Sequence, residues 1–312
     1  MSYDLYFVVK NDSAGPSREA MLDYFSSREL YLIKEDFAFY ENEDTGVYFN
    51  FLCVPDSEPE AIPGGLREVC TFNVNYFRPH VFALEAYPEV DAFVREFGFG
   101  TYDPQEKGMD TGPLTEEGFL KGWNWGNRLA YRTFLVDQTV AAQTYSFPSA
   151  GIHDIWMWNR RRQSYNAALG DYFFVPTVIF GVTPSGLRTS VVVGVPIPAA
   201  VPEVDFVIIS PRDWLTGNKQ DDLPDFVPVR AGALLKFFKC LRRLEAPLEH
   251  AIVEPLPPCP ALELFVRRAV NEMQSFEPVS VEKVLDAELI DSVKGDQKSS
   301  TSPPSAHDKR RA

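Results

Sequence analysis

The apolar and polar positions of the first hundred residues switch repeatedly between a strand period and a helix period. Leu5-Tyr6-Phe7-Val8-Val9 is a strand-like run, followed by a turn over 11–16. Ser17 is placed as a helix cap, with Ala20, Met21, Tyr24 and Phe25 at helical spacing behind it. Residues 37–40 and 47–52 flank Glu41-Asn42-Glu43-Asp44-Thr45-Gly46, which predicts a hairpin closed by an Asx and glycine turn. A proline-rich loop over 55–65 leads to a strand over 69–77. Pro79 ends that strand, a helix is predicted over 90–97, and Gly98 supplies its stop. Residues 99–102 return as a strand. The order β-α-β-β-β-α-β predicts a ferredoxin-like sandwich carrying an inserted hairpin.

Beyond residue 108 the period becomes helical. Thr115 caps a helix whose buried face is Phe119, Trp123, Gly126, Ala130 and Phe134, with Glu116 and Glu117 at its positive end. A second helix is predicted from Ser149 to a stop at Gly170. Strands follow over 175–182 and 187–195 around Thr183-Pro184-Ser185-Gly186, and over 203–210 with alternating burial. Helices over 231–244 and 261–273 and a short strand over 251–254 complete the pattern. The expected fold is α+β in two packed lobes. Residues 1–108 form a ferredoxin-like acidic domain. Residues 109–294 form a helical segment plus an α+β domain with an antiparallel sheet, and residues 295–312 a polar, disordered tail.

Charge sharpens this division. The 312 residues carry a net charge of −14. Residues 1–150 hold 24 acidic and 11 basic side chains, and residues 151–312 hold 20 and 19. An acidic surface repels phosphate backbones and attracts cationic partners. The expected partner is therefore a basic protein and not a nucleic acid. The longest nearly apolar stretch, 191–204, is broken by Pro196, Pro198 and Pro202, so no membrane insertion is expected. Cys53, Cys70, Cys240 and Cys259 form no CxxC pair, and the sparse cysteines together with the polar start of the chain lead us to expect a cytoplasmic, reduced protein.

Two short motifs carry a resemblance. Tyr3-Asp4-Leu5 at the start, and Tyr102-Asp103-Pro104-Gln105 behind Phe97-Gly98-Phe99-Gly100, resemble the two ends of a group of uncharacterised bacterial proteins. The resemblance covers about a third of the chain. Proteins of that group look like occupants of toxin and immunity gene neighbourhoods, which implies an immunity-type inhibitor of a basic toxin. It implies no catalytic residues.

The sequence contains no nucleophile elbow, phosphate-binding glycine loop or zinc-ligand spacing, so no cofactor and no metal is expected. The physical candidate is a sheet face. On the strand over 69–77, Asn73 and Asn75 oppose Cys70, Phe72, Val74 and Tyr76; on the hairpin, Tyr48 and Asn50 oppose Val47, Phe49 and Phe51. Tyr48, Asn50, Asn73 and Asn75, with Glu43 and Asp44 of the turn, are the expected partner-binding residues. The alternative is an enzyme with an inter-lobe pocket near Trp123, Asn127, His153 and Arg160, where aromatic, amide and guanidinium groups gather.

Overall fold

A computed structural model describes residues 1–54, 61–62, 64–194, 197–215, 223–242, 250–255, 259–273 and 275–300. The elements run β1 (Ser2–Lys10), α1 (Arg18–Ser26), β2 (Tyr31–Lys34), β3 (Phe37–Asn42), β4 (Val47–Cys53), β5 (Ala61–Ile62), β6 (Leu66–Asn75), α2 (Val81–Phe97), β7 (Gly100–Tyr102), α3 (Glu116–Phe134), α4 (Gln138–Ala141), β8 (Tyr145–Phe147), α5 (Ser149–Arg160) and α6 (Arg162–Leu169). They continue with β9 (Ile179–Thr183), β10 (Gly186–Val192), β11 (Ala199–Pro202), β12 (Phe206–Ile209), β13 (Val227–Arg230), α7 (Ala231–Leu234), β14 (Phe238–Arg242), β15 (His250–Pro255), α8 (Pro260–Asn271), β16 (Glu277–Val279), β17 (Val284–Asp286) and α9 (Ala287–Ser300). The fold is α+β.

The chain divides into two compact units, with boundaries unlike those expected from sequence. The first comprises 1–40, 49–149 and the chain from Leu285 onward; the second comprises 41–48 and 150–284. The segment 109–149 therefore belongs with the N-terminal sheet. The cause is packing: α3 lies on β1 and α2, and α9 returns to pack on α3.

The sheet of the first unit follows the order β2-β3-β4-β6-β1-β7, with β5 beside β6, and has seven strands where a ferredoxin-like sandwich has four. Phe25 of α1 and Phe93 of α2 pack their rings 4.7 Å apart, and both meet Phe51 on the sheet. Helix α2 begins nine residues before the predicted start and accommodates Pro88 within it. Its buried stripe, Val81, Phe82, Glu85, Ala86, Val90 and Phe93, supplies the packing that offsets the lost backbone hydrogen bond. The one buried acid on that stripe is satisfied: the Tyr40 hydroxyl donates to Glu85 Oε1 at 2.8 Å.

Glycines at every fourth position seat α3. Cβ atoms added at Gly118, Gly122 and Gly126 meet Met109 Cγ at 2.3 Å, Tyr3 Oη at 2.7 Å and Tyr76 Cζ at 2.1 Å. Tyr131, near the end of the helix, packs with Leu285, Ile290 and Val293.

The second unit holds a five-stranded sheet, β13-β12-β10-β9-β16, and a three-stranded one, β11-β15-β14. The larger sheet is not wholly antiparallel, since β10 and β12 run parallel. Strand β12 is buried at all four positions, so its predicted alternation is replaced by burial on both faces. Two predicted helices also differ. The helix from Ser149 breaks at Arg161 into α5 and α6. The helix over 231–244 shrinks to α7 and a short 3-10 turn, because 238–242 pairs with β15 instead. Disorder was expected from residue 295; instead α9 continues to Ser300, and residues 301–312 lie outside the described ones. The loop expected over 55–65 lies partly outside them too, with β5 at 61–62.

Candidate functional site

The sheet of the first unit has one face under helices and one face half-exposed. Leu5, Phe7, Phe51, Phe72 and Val74 point inward and are buried. Asp4, Tyr6, Asn50, Leu52, Thr71, Asn73, Asn75 and Tyr102 alternate with buried positions and are half-exposed. The register places them in rows. Asn50, Asn73 and Asp4 lie opposite one another across β4, β6 and β1; Leu52, Thr71, Tyr6 and Tyr102 form the next row across β4, β6, β1 and β7. The rings of Tyr6 and Tyr102 are 5.9 Å apart. The Asn73 amide donates to the Asp4 carboxylate, which also accepts from the Ser2 hydroxyl at 3.0 Å. Asn75 Oδ1 accepts from the Phe77 amide at 2.8 Å. Toward the β2 edge the same face carries Leu32 opposite Phe39, and both are exposed.

The hairpin residues behave differently. In the second unit, Asp44 Oδ1 accepts from Arg162 Nε at 3.1 Å and from Arg162 Nη2 at 2.5 Å. The Tyr48 hydroxyl donates to the Glu282 carboxylate. Asp44 and Tyr48 thus fasten the hairpin tip to Arg162 and Glu282, while Tyr48 and Glu43 stay exposed. The tip, α5 and residues 177–180 and 279–281 line a cavity of about 190 Å³. Asn159 at its wall has its amide satisfied twice by the Val178 backbone, at 2.8 and 2.9 Å.

The alternative pocket residues fall in different units. In the first, Trp123 is fully buried, and Asn127 donates to the Tyr76 and Arg78 carbonyls at 2.5 and 2.9 Å. Neither presents a group to a ligand; both fasten α3 to the segment after β6. In the second unit, His153 lies 5.4 Å from the Trp156 ring, and the exposed Arg160 covers the same ring at 5.3 Å.

The two resemblance motifs meet in the first unit. Asp103 is completely buried, and its carboxylate accepts from the backbone amides of Gln105, Gly108 and Met109 at 2.9, 3.3 and 3.3 Å. With its amide nitrogen turned inward, Gln105 donates to Asp103 at 3.2 Å and to the Asp4 carbonyl at 3.0 Å. The motif residues close a loop. Asp103→Ala orphans three backbone amides and is expected to cost about 2–3 kcal/mol, read as a lower urea midpoint; a change within about 0.5 kcal/mol contradicts this role.

Two buried phenols, Tyr3 and Tyr76, lie near this loop. Burial, and then the Asp103 charge, push Tyr3 and Tyr76 well above the ordinary value of 10.0. Burial also raises Tyr31, reinforced by Glu89, and Tyr131, reinforced by Asp286. The neutral form is the one the fold stabilises. Its contribution is complete below the unfolded value near 10 and is lost as pH rises toward the folded values. Alkaline titration followed by tyrosinate absorbance should show a late group that ionises together with unfolding. A single smooth ionisation near pH 10 with the fold intact contradicts it.

Sequence reasoning missed one network. Asp286, 206 positions from His80, accepts from His80 Nδ1 at 2.6 Å and from the His80 backbone amide at 2.8 Å. The Tyr131 hydroxyl lies 3.3 Å from Asp286 Oδ2 and 3.2 Å from the Asp286 amide, and donates to the Arg78 carbonyl at 3.2 Å. Ser149 donates through its amide, at 2.9 Å, and its hydroxyl to Glu288, and this holds the Glu288 carboxyl below its usual value. A histidine and carboxylate pair resembles an acid-base dyad, but here both Asp286 oxygens are occupied. The pair fastens β17 and α9 to the start of α2.

Scans of family models, curated proteins and solved structures found no match to this chain. Among the described residues, no helix is long and apolar enough to cross a membrane, and no three His, Cys, Asp or Glu side chains converge as a metal set.

Proposed function

We propose that the protein binds another protein through the half-exposed face of its first sheet. The row arrangement of Asp4, Tyr6, Asn50, Leu52, Thr71, Asn73 and Tyr102 is the observation that carries this reading. Tyrosine and leucine supply contact area, and amide and carboxylate groups supply adaptable hydrogen bonds, which is the composition of a protein interface. The excess of acidic over basic side chains in residues 1–150, 24 against 11, selects a basic partner and speeds its approach. An immunity-type inhibitor of a basic toxin is the narrower form of this reading and rests on the resemblance of the Tyr-Asp-Leu and Tyr-Asp-Pro-Gln motifs.

Parallel affinity columns test the binding role. One carries the natural protein and one the Asn50→Arg, Asn73→Arg variant, each loaded with host lysate at low salt. A basic protein retained by the first, lost from the second and released by salt is the expected result. Equal retention on both columns removes the face from the account.

A further inference from the structure

We propose that Cys53 and Cys70 are a paired modification site, closing to a reversible disulfide when the protein meets hydrogen peroxide. This inference is independent of the binding role. The two residues lie opposite each other on β4 and β6, with their sulfurs 3.9 Å apart. The hydrogen-bond phase of the ladder favours closure. The Val54 amide donates to the Val69 carbonyl at 3.0 Å, so that pair is hydrogen-bonded and the adjacent Cys53/Cys70 pair is not. The Cys53 amide instead donates to the Asp36 carbonyl at 2.8 Å. Directly opposed residues of a non-hydrogen-bonded pair have Cα atoms about 4.5 Å apart. That lies within the range of about 4.4–6.8 Å spanned by disulfides. A rotation about the two Cα–Cβ bonds then suffices to join the sulfurs.

The reaction balances with peroxide as the oxidant. One cysteine, as thiolate, attacks a peroxide oxygen; the O–O bond breaks, and hydroxide leaves and takes up the thiol proton as water. The product is a sulfenic acid. The second thiolate attacks that sulfur, the S–S bond forms, the S–O bond breaks, and hydroxide leaves with the second proton as water. Two thiols and one peroxide give one disulfide and two waters. Burial controls the rate. Both side chains are fully buried, and burial pushes the Cys70 thiol up, which keeps it protonated and slow. Closure therefore follows local opening of the strand pair, whereas the exposed Cys240 reacts without it.

The test uses the full chain. Peroxide is applied in native buffer and in urea below the unfolding midpoint, and the products are mapped as peptides without reduction. The expected product joins the Cys53 and Cys70 peptides, forms faster in urea, and disappears with dithiothreitol. The cross-link spans 17 positions, and oxidation is expected to raise Tm reversibly by about 5 °C or more. Three results overturn the proposal: both thiols intact in both buffers at a dose that fully oxidises Cys240, the two cysteines recovered as separate sulfinic or sulfonic acids, or a joined product that leaves Tm unchanged.

Discussion

Gly126→Ala is expected to destabilise the first unit by about 3 kcal/mol or more, the upper end for overpacking a rigid contact. The added methyl carbon falls 2.1–2.5 Å from three atoms of the Tyr76 ring. The ring has little room to yield: Tyr76 packs 5.7 Å from Tyr3 and 5.6 Å from Trp123, and all three are buried. Helix α3 must then lift from β1 and β6. Shrinking the ring relieves the clash, so Gly126→Ala combined with Tyr76→Leu should cost clearly less than the sum of the two single changes. Gly112→Ala is the control, since a methyl there meets nothing within 4 Å. Urea midpoints of the four variants decide the matter. A Gly126→Ala protein within about 0.5 kcal/mol of the natural one shows that α3 does not depend on this approach.

Asp286→Ala is expected to cost about 2–4 kcal/mol, because it leaves the His80 amide and the His80 ring without their shared acceptor, while the Tyr131 hydroxyl keeps the Arg78 carbonyl. The Asp286 side chain is 5% exposed, so water does not readily replace the carboxylate. The effect should be local first. Backbone amides of α9 should exchange with deuterium faster in the variant than in the natural protein, while those of β9 and β10 keep their rates. Asp286→Asn retains one acceptor and should lie between. Equal exchange in α9 for all three proteins contradicts the role assigned to this network.

The parts of the fold legible in the sequence are those fixed by local chemistry. Ser17 and Thr115 cap α1 and α3 as predicted, with side-chain oxygens accepting from Ala20 and Gly118. The Asn42 to Gly46 turn forms because Asn42 Oδ1 takes the Asp44 amide at 3.1 Å and Gly46 accepts a positive φ of 70°. What the sequence hid depends on distant partners. Residues 238–242 read as helix until β15 offers a ladder, and α2 reads as starting only at Val90, beyond Pro88, until its apolar stripe finds the sheet. The Asn50, Asn73 and Asn75 face was visible from period-2 alternation alone. Its neighbours Asp4, Tyr6 and Tyr102 were not, since the order of strands across the sheet decides who stands beside whom. Trp123 and Asn127 looked like ligand groups because aromatic and amide side chains serve binding and packing equally well; only burial separates the two uses. The pairing of His80 with Asp286 left no signal, the two being 206 positions apart.

The proposed binding role gives the acidic excess and the sheet face different tasks. The acidic excess acts at long range and falls with salt. In the proposed binding role the sheet face would act at contact, with Tyr6, Leu52 and Tyr102 providing the anchoring area. Hydroxyl-radical footprinting of the protein, alone and with the partner recovered from the paired columns, separates contact from steering. Tyr6, Leu52 and Tyr102 should lose reactivity in the complex, while Trp125, which is 45% exposed on α3, should keep it. Unchanged labelling of the three face residues, with protection elsewhere on the chain, contradicts the account.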